Sequence, residues 1–70
     1  SIDMTWKTWR KIVGHIIFSL EYVRDVDWAM DVHDWYADRY GANSEEYNRF
    51  HKRIHDGLML FGRYFNHLSW

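Results

Sequence analysis

The chain has 70 residues, enough for one domain, with 47% hydrophobic residues, 20% aromatic residues and a formal net charge of −1. High apolar content at near-neutral charge excludes a disordered chain and argues against broad electrostatic binding to nucleic acid or an anionic membrane. With no cysteine, disulfide scaffolds and cysteine zinc sites are excluded as well.

The first predicted element is a helix over about 5–24. Asp3 or Thr5 can cap its start, because a side-chain oxygen there satisfies free backbone amides. Trp6, Trp9, Val13, Ile16, Leu20 and Val23 recur at alternating spacings of three and four, which is one stripe on a helix, and Ile12 and Ile17 widen it.

The second helix is predicted over about 26–40. At about 100° per residue, Asp27, Asp31, Asp34 and Asp38 fall in one narrow arc. Val26, Ala29, Met30, His33, Tyr36, Ala37 and Tyr40 share an apolar arc, which Trp28, Val32 and Trp35 extend sideways. Gly41 is a good stop, since glycine accepts the left-handed conformation that ends a helix. The joint with the first helix contains no Gly or Pro. Asp25 and Asp27 favour a break there, because Asp prefers helix starts to interiors. A continuous helix over about 5–40 is the competing reading, and it favours an intertwined oligomer.

The third helix is predicted over about 44–68, with Asn43 and Glu46 at capping-box spacing. Its stripe is Tyr47, Phe50, Ile54, Leu58, Phe61, Phe65 and Leu68. Gly57 and Gly62 lie within the pattern. Each costs about 1 kcal/mol relative to Ala in a helix, so close packing of a neighbouring backbone is the expected reason for them. Three stripes give an all-α three-helix bundle, a single helical domain that self-association is expected to complete.

No run approaches the roughly eighteen apolar residues of a membrane-spanning helix, and the N-terminus lacks the signal-peptide pattern. No membrane partner is therefore expected, and the cytoplasm is the default location. There is no Gly-rich phosphate loop and no G-x-S-x-G elbow, and the one H-x-x-x-H lacks the glutamate of a zincin.

Apolar residues remain after the stripes are assigned. Phe18 and Tyr22 fall on the face of the first helix that also carries Lys7, Lys11 and His15. Trp28 and Trp35 flank the second, and Met59 and Leu60 lie off the stripe of the third. Aromatics and Met are enriched in interface cores, so Phe18, Tyr22, Trp28 and Trp35 are read as a partner surface. A second copy is the simplest partner, since twofold dimers dominate soluble oligomers. The row Asp27, Asp31, Asp34 and Asp38 reads as a solvated face paired with Arg10, Arg49, Lys52 or Arg53, or as a docking strip for a basic protein.

His51 and His55 stand at i, i+4 and project from one side of the third helix, with Asp56 next in the chain. His33 should point inward from the second helix. If the two helices pack antiparallel, His33 or Asp34 approaches the pair. His33, His51 and His55 with Asp34 or Asp56 would then suit Zn²⁺ or another divalent transition metal. Against this, inward histidines commonly make ordinary hydrogen bonds. The doublets His33-Asp34 and His55-Asp56 are similar to those of HD-type metal phosphohydrolases in that pair alone. No Asp or Glu follows Asp56 to supply the further ligands. The clusters Lys7-Arg10-Lys11 and Arg49-Lys52-Arg53 are too small to make nucleic acid an expected partner. The expected function is that of a small non-enzymatic interaction protein, without catalytic residues or cofactor. A metal-binding bundle is the alternative.

Overall fold

The computed structural model describes residues 5–68 as three helices, α1 (Trp6–Arg24), α2 (Val26–Tyr40) and α3 (Glu45–Leu68), with no strand among the described residues. The all-α three-helix arrangement read from the stripes is the one observed. Asp3, Trp70 and the side chain of Leu68 lie outside the described residues.

Each helix begins where a short polar side chain can take an orphan amide. Thr5 caps α1, its Oγ1 accepting from the Thr8 amide at 3.2 Å. The break between the first two helices falls at Asp25, whose backbone is extended (φ −106°, ψ 95°). One residue serves both sides of that break. Its amide donates to the Glu21 carbonyl at 3.1 Å, closing α1. Its carboxylate accepts from the Trp28 amide at 3.1 Å, opening α2. The continuous helix is thereby ruled out. Gly41 ends α2 at φ +95°, as its lack of a Cβ allows. The start of α3 differs from expectation. Ser44, not Asn43, caps it by accepting from the Tyr47 amide at 3.1 Å. Asn43 instead takes the left-handed turn position at φ +66°.

α1 and α3 run antiparallel: Trp9 meets Tyr64 at one end (5.6 Å between rings), and Phe18 and Tyr22 meet Phe50 at the other (6.2 and 5.6 Å). Between these ends the helices come close enough that only small residues fit. Ser19 is completely buried and faces Gly57. A Cβ on Gly57 would stand 2.6 Å from the Ser19 Cβ and 2.7 Å from the His15 carbonyl oxygen. The neighbouring-backbone explanation therefore holds for Gly57. It fails for Gly62, whose Cβ position is in open space. The His15 Nε2–H donates to the Arg53 carbonyl at 2.7 Å, and the Ser19 hydroxyl approaches the same oxygen at 3.5 Å. Ile16, Phe50 and Ile54 are the buried apolar side chains beside this seam.

α2 crosses the Phe50 end of the pair. Tyr36 stacks on Phe50 at 4.4 Å, Trp28 sets its edge against Phe18 and Tyr22, and His33 meets Tyr47 and His51. No residue of α2 is buried. The Trp9–Tyr64 end lies beyond its reach, which draws the molecule out to 42 × 23 × 17 Å. The radius of gyration is 14.1 Å, against about 11 Å for a compact chain of this length.

Candidate functional site

The α2–α3 crossing gathers the polar and aromatic groups that carry chemistry. His33 donates from Nδ1 to the Asp34 carboxylate at 3.2 Å, and its Nε2 lies 2.9 Å from the Tyr47 hydroxyl, which it accepts from when the ring is neutral. The carboxylate thus selects the tautomer that Tyr47 can use. The His51 ring packs 5.4 Å from His33 and 4.4 Å from Tyr47, and its Nε2 is buried without a hydrogen bond to protein. Burial, then the neighbouring His33, lowers the His51 pKa. Burial, then the Tyr47 hydroxyl, raises that of Tyr22. The cluster favours neutral side chains and holds the crossing together.

The five candidate metal ligands do not converge. His33 touches Asp34 and His51 separately, whereas His55 is exposed on α3. Asp56 is taken by Lys52, whose ammonium donates to it at 2.6 Å and holds its carboxyl below the usual range. Among the described residues, no three His, Cys, Asp or Glu side chains are placed to hold an ion.

The surface residues divide differently from the sequence reading. Phe18 and Tyr22 are half-buried in the inner aromatic cluster around Phe50, and the Arg53 guanidinium lies 4.0 Å from the Phe18 ring centre. They are turned inward because the covered face of α1 is centred on Ile16 and Ser19, rotated away from the predicted stripe. Trp28 and Trp35 do face solvent, 37% and 51% exposed, with Arg39 stacked over the Trp35 ring. Asp27, Asp31, Asp34 and Asp38 are all exposed. Among the described residues none of them pairs with Lys or Arg, since Arg49 pairs with Glu45 and Lys52 with Asp56 along α3 itself. The expected neutralisation by Arg10, Arg49, Lys52 or Arg53 does not occur.

The rotation of α1 exposes residues that the stripe assigned to the core: Trp6 at 71%, Ile17 at 49% and Val23 at 51%. Val26 and Met30 of α2, at 64% and 58%, adjoin Val23 in an open cleft of about 610 Å³ that Tyr22 also lines. Hydrophobicity alone does not reveal this patch. Ser19 and Gly57 were the available signal, because small residues at matched positions decide which face two helices share. No helix among the described residues is long and apolar enough to cross a membrane. Comparison with protein-family models, curated proteins and solved structures finds no match to the chain.

Proposed function

We propose that the chain is a small non-enzymatic helical interaction protein, a subunit, adaptor or inhibitor, that works by covering a partner's surface. One observation carries this reading. Among the described residues, ten large apolar side chains are at least 37% exposed, while three are buried. The chain exposes 5771 Å². A compact monomer of 8.7 kDa exposes about 4,700 Å². The excess of about 1,000 Å² is close to what one partner contributes to a standard interface. An association partner, with a further copy the simplest, would complete the fold. The unneutralised aspartate row of α2 would set orientation and on-rate toward a basic partner surface.

Binding of anilinonaphthalene sulfonate by the folded chain at high dilution tests the reading. Strong binding, reduced when Trp6 or Ile17 is replaced by Gln, is expected. Absence of binding, together with a monomeric mass at high micromolar concentration, contradicts it.

A further inference from the structure

The exposed face of α1 has an internal order of its own. Trp6, Arg10, Val13, Ile17, Leu20 and Arg24 follow a strict four–three alternation, and at 100° per residue they lie within an arc of about 80°. Gly14 and Glu21 stand beside this seam. Val13 and Leu20 are half-buried, and Trp6, Arg10, Ile17 and Arg24 are exposed. The pattern is that of a helix-pairing seam, yet α2 and α3 leave Trp6, Arg10, Ile17 and Arg24 uncovered.

Two seam residues, Arg10 and Ile17, find complementary partners in the residues that flank the seam. Arg10 and Glu21 carry opposite charges, both are exposed, and neither forms a salt bridge among the described residues. Their positions sum to 31, as do those of Gly14 and Ile17. In an antiparallel pair centred between residues 15 and 16, Arg10 therefore meets Glu21 of a second copy, and Ile17 meets Gly14. The space over Gly14 is empty within 4 Å of its Cβ position, which is what an entering isoleucine needs. The same register carries Trp6 to the level of residue 25 in the second copy. There lies the open cleft of about 610 Å³ that Tyr22, Val23, Val26 and Met30 line. Each contact occurs twice, as an isologous interface requires.

We propose that this face seats a second copy of the chain, with the two α1 helices antiparallel about a twofold axis near His15 and Ile16. The inference rests on the interaction reading above and names its partner. The area supports a copy of this size: the excess surface of about 1,000 Å² per chain fits the roughly 800 Å² per partner of a stable dimer. The pairing also covers the Trp6 end of the molecule, where α2 does not reach.

Sedimentation equilibrium of the full chain tests this, with helix content checked by circular dichroism. Wild type is expected at twice the 8.7 kDa chain mass. Arg10→Glu and Glu21→Arg should each weaken the dimer about tenfold or more, because each creates two like-charge pairs. The double exchange should return affinity to within about threefold of wild type, since it restores opposite charges. Trp6→Ala should weaken the dimer by at least about a hundredfold, as loss of a buried aromatic anchor does. A dimer indifferent to these substitutions overturns the inference and leaves the interaction reading in place. So does a monomer at high micromolar concentration that still binds the dye. A monomer that binds no dye overturns both.

Discussion

The α1–α3 seam and α2 are built on opposite principles. In the seam, Ser19 and Gly57 let two backbones approach until no further atom fits, and Ile16, Phe50 and Ile54 are buried around them. Along α2, aromatic rings lean on one another and on Phe50, and no side chain is buried. The aromatic residues therefore do not make the tightest part of this fold. Small residues do, and the aromatics spread over what remains, leaving surface to be covered from outside. Local opening free energies should follow that division, highest in the seam and lowest in α2.

Gly57→Ala should have the largest effect of any single substitution in the seam. The new methyl has nowhere to go between the Ser19 side chain and the His15 carbonyl, so the loss should be about 3 kcal/mol, the top of the overpacking range. A chain of this size has only about 3–5 kcal/mol from its core, so urea titration should find no more than about 2 kcal/mol left. Gly62→Ala is the control. With open space over Gly62, it should gain up to about 1 kcal/mol of helix propensity.

Phe50→Ala comes next. Phe50 is 6% exposed and is the ring on which Phe18, Tyr22 and Tyr36 converge, so its removal unseats α2 as well as opening the seam. About 3 kcal/mol is expected, against less than about 1 kcal/mol for Trp35→Ala on the outer side of α2. Equal effects in urea titration would erase the distinction between the regions.

Asp25→Ala should cost about 1 kcal/mol through the lost cap. Its effect should appear in hydrogen exchange as earlier opening of α2, with seam amides least affected.

The smallest expected effect is that of pH. His51 faces His33 from α2, Tyr22 from α1, and Tyr47 on its own helix. Its folded pKa lies below the usual histidine value because burial, then His33, disfavours the charged form. The unfolded chain therefore takes up this proton first. The contribution is whole above about pH 6.5 and is lost as pH falls below that value, until the folded imidazole also protonates. Thermal unfolding of His51→Gln should show a shallower fall over the same range.

Much of the fold is legible in the sequence because its signals agree. Alternating three–four stripes mark the helices, Gly41 stops α2, and Asp25 breaks the chain without help from Gly or Pro. The cap of α3 is less legible, since Asn43 and Ser44 are both competent and the choice depends on which residue takes the left-handed turn. The rotation of α1 is not legible from hydrophobicity. Apolar residues occupy much of its circumference, so periodicity marks a broad stripe without its centre. The centre is set by Ser19, which carries no hydrophobic signal, against Gly57, which the stripe treats as an interruption. Phe18 and Tyr22 therefore read as surface and Trp6 and Ile17 as core, the reverse of what the structure places there. Among the candidate ligands, the meeting of His33 with His51 follows from helix geometry. The exposed position of His55 and the Lys52–Asp56 pair depend on how α3 is turned.

Hydrogen exchange measured peptide by peptide at low and high protein concentration separates the seam from α2 and from the face left for a second copy. Exchange should be slowest around Ile16–Ser19 and Ile54–Leu58 and fastest in α2. Protection should grow with concentration along 6–20 and 23–30. Uniform protection of all three helices, unchanged by concentration, would contradict both expectations.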